Sequence, residues 1–346
     1  MSGQEIRVLH ADDEPGFAEL ATEFVHRSNS EIQVTVVTSG PEALATIENN
    51  LFDCVISDFD MPEMKGIELL EHIRGIDPNL PFILFTGKGS EEVASHAISK
   101  GVSDYLPKEG GTDQYRILAN RITNLVRQYR AESELAEKIE QQRVTAKLGE
   151  FALSKAGLDE LFEQAVKLVA SALDDEYAKV LEYHPEDNEL VLRAGVGWQE
   201  GLVGQMTVGD GADSQAGHTA RSEEPVIVLD LNSEDRFDGP ELLTYHDVRS
   251  GISVVIGDPT DPWGVFGTHS TRTKTFTEDH VTFVQNVANI LGTAIEQRAY
   301  RQRLERSQAR FDAILDHTET SIFMKDDSGA YLFVNQAYGD LFELSE

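Results

Sequence analysis

Three aspartates at two points in the chain have the spacing of a shared divalent-cation site. Asp12 and Asp13 follow an apolar segment at residues 6–9, and Asp58 closes another at residues 54–56. Carboxylate oxygens are ligands that Mg²⁺ prefers, and a bound cation relieves the repulsion between grouped carboxylates. We therefore expect these three side chains to bind Mg²⁺ together if the fold brings the two segments side by side.

A threonine and a lysine complete a set of residues that suits phosphoryl transfer. Thr86 ends the apolar segment at residues 82–85, and Lys108 follows the one at residues 105–106. A carboxylate can attack phosphorus and form an aspartyl phosphate, while a hydroxyl and an ammonium group bind the phosphoryl oxygens. A bound cation neutralises charge on the incoming group. The set predicts phosphoryl transfer to one of the aspartates.

The elements that must position these residues are short strands alternating with helices between residue 5 and about residue 125. The predicted strands lie at residues 6–9, 34–37, 54–56, 82–85 and 105–106. This alternation is typical of an α/β fold with a doubly wound parallel sheet. Ligands bind outside the carboxyl ends of the strands of such a sheet, which is where the five polar residues fall.

Residues 4–122 resemble a response-regulator receiver domain, which implies a flavodoxin-like fold. Residues 58–66 read DFDMPEMKG and are similar to the segment that follows the phosphorylated aspartate in that family. The acidic pair, the threonine and the lysine also match in order and spacing. By this resemblance, Asp58 is the phospho-acceptor. The implied Mg²⁺ ligands are Asp12, Asp13, Asp58 and the backbone carbonyl oxygen of Asp60.

The same resemblance implies roles for three further side chains and a partner protein. Thr86 and Lys108 contact the phosphoryl group. Tyr105 is an aromatic switch that turns inward when Thr86 moves toward the phosphate. The implied phosphodonor is a histidine kinase, and the implied process is a two-component phosphorelay.

A long charged helix is predicted after the receiver. Leu118, Ile122, Leu125 and Tyr129 are spaced by four, three and four residues, as in a coiled-coil seam. We assign residues 123–147 as a connector helix. Such a helix is a rigid connection rather than a flexible linker.

Residues 148–296 are predicted to form an α+β domain with an antiparallel sheet, because adjacent strand patterns are bracketed by helices. The domain resembles a GAF sensor domain in LRAGVGW at residues 192–198, in residues 226–231 followed by Arg236 and Phe237, in HDVRSG at residues 246–251 and in FTED at residues 276–279. The absence of cysteine from this domain excludes a thioether-linked tetrapyrrole. The ligand of the domain is unknown, and small-molecule sensing and pure dimerisation both remain open.

The closing helix of this domain is predicted to continue as a coiled-coil-like helix at residues 297–317. Along residues 284–315, positions spaced alternately three and four residues apart form one side of the helix. These positions are apolar at both ends and polar in the middle, which suits a parallel dimer of limited stability. Together with the helix at residues 113–147, this pattern predicts a homodimer. The alternative is a solvated helix that packs on its own domain.

Residues 318–346 resemble the beginning of a PAS domain, in DSG at residues 327–329 and YLFVNQA at residues 331–337. A complete domain needs about 100 residues. We therefore expect this segment to be incomplete and the chain to be a fragment or a truncated product. The whole arrangement resembles haloarchaeal-type signal-transduction proteins.

Composition excludes several classes of function. The 61 acidic and 29 basic residues give a net charge of −32, which opposes binding to nucleic acid. This charge suggests a halophilic host, with an ordinary acidic mesophilic protein as the alternative. No apolar run is long enough to span a membrane and no signal peptide pattern is present, so a cytoplasmic protein is predicted. With a single cysteine, Cys54, no disulfide can form within the chain.

The sequence also lacks a glycine-rich nucleotide-binding motif, so no kinase or other catalytic output domain is predicted, although the receiver could phosphorylate itself from small donors. Phosphorelay signalling through the GAF domain is the leading interpretation. The first alternative is a non-catalytic dimerisation scaffold. The second is the N-terminal part of a sensor histidine kinase or of a DNA-binding regulator whose output domain is missing.

Overall fold

The computed structural model describes residues 5–87, 91–108, 111–154, 156–211, 214–237 and 239–342. The predicted domain bounds at residue 4 and at residues 343–346 lie outside these ranges. The chain divides into two units, Met1–Lys138 and Ile139–Glu346.

The first unit is built on a parallel sheet of five strands in the order β2-β1-β3-β4-β5. Its elements are β1 (Ile6–Ala11), α1 (Pro15–Ser28), β2 (Ile32–Val37), α2 (Gly40–Asn49), β3 (Cys54–Ser57), α3 (Gly66–Ile76), β4 (Phe82–Thr86), α4 (Glu91–Ser99), β5 (Asp104–Pro107) and the start of α5 (Asp113–Leu153). The predicted flavodoxin-like α/β fold is confirmed.

Both faces of this sheet are covered, which explains why its central strands are almost continuously apolar. On one face, Val8 and Ile56 pack in a core with Leu118 of α5. On the other face, Leu9 and Val55 pack in a second core with residues of α3. Cys54 of β3 is fully buried in the first core.

Helix α5 runs for 41 residues and belongs to both units. Leu118 and Ile122 are fully buried in the receiver core, Leu125 packs against it, and the Tyr129 hydroxyl donates a hydrogen bond to Asp77 Oδ2 at 2.6 Å. The predicted seam in this part of the helix is therefore occupied by its own domain. By contrast, the side chains at residues 131–139 are exposed or half-buried.

The second unit contains an antiparallel sheet of six strands in the order β8-β7-β6-β11-β10-β9. Its elements are α6 (Leu158–Ala172), β6 (Tyr177–His184), β7 (Glu189–Val196), β8 (Thr207–Gly209), α7 (Gln215–Ala220), β9 (Val226–Val228), a 3₁₀ helix (Leu231–Ser233), α8 (Glu241–Thr244), β10 (Ser250–Asp258), β11 (Asp261–Ser270) and α9 (Glu278–Asp316). The predicted α+β class with an antiparallel sheet is confirmed.

This second sheet also separates two cores. One core packs Val180 and Phe266 against α6 and α9, together with Leu148 from the end of α5. The other core packs Leu181 and Val265 of the opposite face against α7 and α8. The first core has two long helices over it, whereas the second is covered by short ones.

The tail forms a small hairpin and a helix, β12 (Phe323–Lys325), β13 (Tyr331–Val334) and α10 (Gln336–Phe342). Asn335 is buried, and its side-chain amide donates hydrogen bonds to the carbonyl oxygens of Leu315 and Thr320 at 3.1 and 2.9 Å. The tail is thus tied to the end of α9. Of the helices in the described residues, none combines the length and the apolar character that crossing a membrane requires.

Candidate functional site

The carboxyl ends of four strands meet at one edge of the receiver sheet and carry the predicted site residues. Asp12 follows β1 and Asp58 follows β3, and the Asp58 amide donates to the Ala11 carbonyl at 2.9 Å. Thr86 is the last residue of β4, and the Lys108 amide donates to its carbonyl at 2.8 Å. These backbone hydrogen bonds continue the pairing of adjacent strands past the strand ends. The four residues therefore lie side by side at one edge of the sheet.

Three carboxylates converge at this edge. Asp12, Asp13 and Asp58 each offer one oxygen, and these oxygens all lie within 4.8 Å of one another. Asp12 and Asp58 are buried, while Asp13 is exposed. An all-oxygen set that is open on one side suits Mg²⁺, because this ion retains part of its water shell. Asp60 is exposed and follows Asp58 by two residues in the loop that leads to α3.

The Lys108 ammonium lies against two of these carboxylates. Its Nζ is 2.8 Å from Asp12 Oδ2 and 3.1 Å from Asp58 Oδ2, and it lies 4.4 Å from the centre of the Phe17 ring. Burial tends to lower the pKa of Lys108, but its contacts with Asp12 and Asp58 outweigh burial and raise it above the ordinary value. Lys108 is therefore held in its charged form, as phosphoryl binding requires.

His10 supports Asp12 from inside the sheet. The His10 ring is 1% exposed, and its Nε2 lies 3.5 Å from Asp12 Oδ2. Burial tends to raise the pKa of Asp12, yet its close contacts with His10 and Lys108 hold it below the ordinary value. His10 was not among the predicted site residues. Its position two residues before Asp12 was the available signal, because alternate residues of a strand share a face.

The loop after Asp58 is fixed by close backbone contacts. The Phe59 amide donates to Asp58 Oδ1 at 2.6 Å, and the Ser57 hydroxyl donates to the Asp58 carbonyl at 2.8 Å. A β-carbon on Gly66 would lie 2.2 Å from the Asp58 carbonyl oxygen, so only glycine fits at the start of α3. The fit of strand, loop and helix thus sets the orientation of the Asp58 carboxylate. Neither Ser57 nor this role of Gly66 was predicted.

The two predicted switch residues lie on neighbouring strands. Thr86 is 1% exposed, and Tyr105 of β5 pairs with Leu84 of β4 and packs half-buried against the core on the α3 face. Thr86 lies at the carboxyl edge of the sheet, and its contact with a phosphoryl group remains a prediction. The movement of both residues remains a prediction as well.

Comparison with known proteins identifies both parts of the chain. Residues 8–120 match the response regulator receiver domain, and residues 157–295 match the GAF domain. Neither of these is a kinase or another catalytic output domain.

Curated relatives match about a third of this chain. The transcriptional regulatory protein ZraR of Klebsiella oxytoca is 29% identical over 117 residues, which cover 34% of this chain and 26% of the relative. GlrR of Escherichia coli K12, also named a transcriptional regulatory protein, is 33% identical over 108 residues, covering 31% and 24% of the two chains. The chain thus spans about a quarter of the length of these relatives.

Among solved structures, the GAF domain from a phosphoenolpyruvate-protein phosphotransferase of Coxiella burnetii is 16% identical, with a TM-score of 0.44. The match covers 48% of this chain and 98% of that one. Taken together, the strand order, the cluster of carboxylates and the two domain matches show that this chain contains a response regulator receiver domain followed by a GAF domain.

Proposed function

We propose that this protein acts in two-component phosphorelay signalling and that Asp58 receives a phosphoryl group from a histidine kinase. The observation that carries the proposal is the convergence of three carboxylate oxygens within 4.8 Å, with Lys108 Nζ in contact with Asp12 and Asp58. The match to the receiver family supports the same chemistry.

Exposure distinguishes the acceptor from its neighbour. The Asp58 side chain is 12% exposed, whereas that of Asp12 is fully buried. Asp12 Oδ1 also accepts a hydrogen bond from the Glu14 amide at 3.0 Å. A phosphodonor approaching from solvent therefore reaches an oxygen of Asp58, while Asp12 stays in place beneath it.

In the proposed reaction, a carboxylate oxygen of Asp58 attacks phosphorus, and the bond from phosphorus to the donor's leaving atom breaks. The leaving atom, a ring nitrogen of a phosphohistidine or an oxygen of a small donor, takes the bonding electron pair. Mg²⁺ bound by Asp12, Asp13, Asp58 and the Asp60 carbonyl oxygen would neutralise charge on the transferred group. Lys108 and the Thr86 hydroxyl donate hydrogen bonds to the phosphoryl oxygens.

Intact mass spectrometry with Mg²⁺ and acetyl phosphate tests this reaction. We expect a single phosphoryl adduct on the wild type and none on Asp58→Asn. Asp113→Asn serves as the matched control, because the Asp113 side chain is 90% exposed at the start of α5, and it should label like the wild type. An adduct on Asp58→Asn, or none on the folded wild type, contradicts the proposal.

The proposal includes relay of the signal from the receiver to the GAF domain along α5. The two tryptophans, Trp198 and Trp263, both lie in the GAF domain. Their fluorescence should therefore change when Asp58 is phosphorylated and should not change in Asp58→Asn. Unchanged emission in fully phosphorylated protein contradicts the relay.

We also propose homodimerisation through the helices at residues 113–147 and 284–315, by way of the parts of these helices that their own domains leave exposed. Four large apolar side chains on the later part of α9 are more than half exposed, which supports an additional partner for this helix: Tyr300, Leu304, Phe311 and Ile314. The tail from residue 318 is proposed to begin a PAS domain. The acidic composition supports the further proposal of a halophilic organism, and a cytoplasmic location is proposed as well.

A further inference from the structure

The GAF sheet buries several polar side chains on the face that α7 covers. Lys179 of β6, Ser253 of β10 and His269 of β11 are each at most 1% exposed. Gln215, at the start of α7, is fully buried as well. Fully buried lysine is rare unless an opposite charge accompanies it, so this cluster requires an explanation.

A glycine allows three of these side chains to converge. Gly267 of β11 pairs with Lys179 on one side and with Ser253 on the other, so the centre of this row carries no side chain. A β-carbon on Gly267 would lie 2.9 Å from His269 Nε2, 3.0 Å from Ser253 Oγ and 3.2 Å from Lys179 Cε. The three side chains therefore meet above this glycine. The Trp198 ring centre lies 5.8 Å from Lys179 Nζ.

These side chains have no hydrogen-bond partners within the described part of the chain. The atoms concerned are Lys179 Nζ, Ser253 Oγ, both ring nitrogens of His269, and Nε2 and Oε1 of Gln215. Buried polar groups in native proteins are nearly always paired, because a donor without an acceptor loses its hydration and gains nothing in return. Lys274, in the same domain, shows the usual solution, with its Nζ 2.7 Å from Asp175 Oδ1.

The charge states of the cluster favour an anion. Burial lowers the pKa of Lys179 to about 7, and no carboxylate counteracts it. Burial, together with the nearby charge of Lys179, lowers the pKa of His269 well below its ordinary value, so this ring is neutral and keeps one N–H donor. A positive Lys179 beside His269 also opposes a metal cation at this place. An anion, in contrast, would favour the ammonium form of the lysine.

We propose that Lys179, Ser253 and His269 form a binding site for one small monovalent anion, either chloride or a carboxylate of one or two carbons. Lys179 contributes a positive charge and N–H donors, and the three side chains crowd a β-carbon position on Gly267 at 2.9–3.2 Å, which leaves no room there for a large ligand. The site goes beyond the phosphorelay and uses no residue of the receiver. It assigns a ligand class to the GAF domain.

Trp198 provides the reporter for a direct test on the full chain. In a Trp263→Phe background, Trp198 is the only tryptophan. The protein is placed in potassium sulfate, whose anion is divalent and larger, and KCl or potassium formate is titrated in at constant ionic strength. We expect a saturable change in Trp198 emission and a rise in Tm over the same concentration range. Saturation by chloride alone identifies an inorganic ligand, and saturation by formate extends the class to carboxylates.

Substitution of the lysine separates a specific site from a general salt effect. Lys179→Met removes the charge while keeping the length of the side chain, and it should weaken the apparent affinity at least about tenfold, because a charge-assisted hydrogen bond is lost. Lys167→Met, whose ammonium is exposed in a pair with Glu163, should retain the affinity of the wild type. If Lys179→Met does not fold, Ser253→Ala gives the same comparison with a smaller loss.

Two outcomes would overturn the proposal. One is a wild type whose Trp198 emission and Tm do not respond to chloride or formate, because the polar groups would then be satisfied by water. The other is an identical titration for the wild type and Lys179→Met or Ser253→Ala, because the anion would then bind elsewhere. Both outcomes are independent of Asp58 labelling, so they leave the proposed phosphorelay untouched.

Discussion

Lys108 contacts two carboxylates that would otherwise face each other without a positive charge. Its side chain is 11% exposed, and solvent therefore screens the interaction only in part. Removing one partner of such a pair leaves the remaining charges uncompensated, which costs more than the pair contributes. The stability of the receiver should accordingly depend on Lys108. A bound divalent cation should reduce the loss of stability that follows when Lys108 is replaced.

We expect Lys108→Met to lower the free energy of unfolding by about 1–3 kcal/mol in EDTA, because Asp12 and Asp58 lose the ammonium group that both of them contact. Added Mg²⁺ should raise the Tm of the variant more than that of the wild type, since no ammonium competes for the carboxylates. Thermal unfolding with and without Mg²⁺ measures both effects. Lys100→Met is the control, because Lys100 pairs with Glu71 at the surface, and it should stay within about 0.5 kcal/mol. An equal Mg²⁺ response in Lys108→Met and wild type would contradict this prediction.

The residues at the receiver site could be predicted because each stands at a strand end, where sequence pattern and sheet topology together determine position. Asp12, Asp58 and Lys108 illustrate this. Lys179 could not be predicted, because a single polar residue in an alternating strand usually faces solvent. Its burial depends on side chains that are distant in sequence, such as Trp198, whose ring centre lies 5.8 Å from Lys179 Nζ. The local sequence pattern carries no information about tertiary contacts of this kind.

Helix α3 contains two glycines in very different surroundings. Gly66 lies at its first position against the Asp58 carbonyl, whereas a β-carbon on Gly75 would meet no atom within 4 Å. The same substitution should therefore have opposite effects at the two ends of one helix.

Gly66→Ala should destabilise the receiver and slow phosphorylation of Asp58, because the strand–loop–helix junction must move to admit a methyl group. Gly75→Ala should increase stability by about 0.5–1 kcal/mol, because alanine restricts the unfolded chain and favours the helix. Chemical denaturation and the rate of acetyl phosphate labelling test both variants. Similar stability and labelling rates for the two would show that the contact at Gly66 is relaxed in solution.

Helix α5 is packed at both ends but not in its middle. A helical stretch of the length of residues 131–139 is marginal in water without tertiary contacts. We expect its amide hydrogens to exchange faster than those at residues 118–126, where Leu118 and Ile122 are buried, and Ala136→Gly should accelerate exchange further. Hydrogen exchange with mass spectrometry measures this. Equal protection along the helix would contradict the prediction and indicate that another surface, such as a second copy, covers the middle.

The two longest helices were predictable, whereas two of the shortest elements of the second unit were not. Helices α5 and α9 extend over 41 and 39 residues, so their periodicity is repeated many times. Strand β8 has three residues and α8 has four, which is too few for any period to be recognised. Strand β8 pairs with β7 and α8 packs on the sheet, so the positions of both depend on contacts that are distant in sequence.

At the scale of the whole molecule, the dominant property is the net charge of −32. Most of these carboxylates repel one another across the surface. The Debye length falls from about 8 Å at physiological salt to about 3 Å at 1 M, so molar salt removes most of the repulsion between exposed groups.

We therefore expect Tm to rise steadily as salt increases from about 0.15 M to 1 M and beyond. The rise should occur in potassium sulfate as well as in KCl, which separates general screening from the specific anion site in the GAF domain. Differential scanning calorimetry in both salts provides the measurement. A Tm independent of salt concentration would exclude the halophilic interpretation and favour an ordinary acidic mesophilic protein.

Cys54 gives this chain a practical advantage for biophysical labelling. It is the sole cysteine, it is fully buried in β3, and burial raises the pKa of its thiol. Maleimide and methanethiosulfonate reagents react with exposed thiolates, so the native protein should remain unmodified. A cysteine introduced by Leu135→Cys or Tyr300→Cys, at positions that are 59% and 70% exposed, would then be the single reactive group in each copy. Spin labels at these positions would report the distance between two copies directly by pulsed electron resonance, with no need for a cysteine-free background.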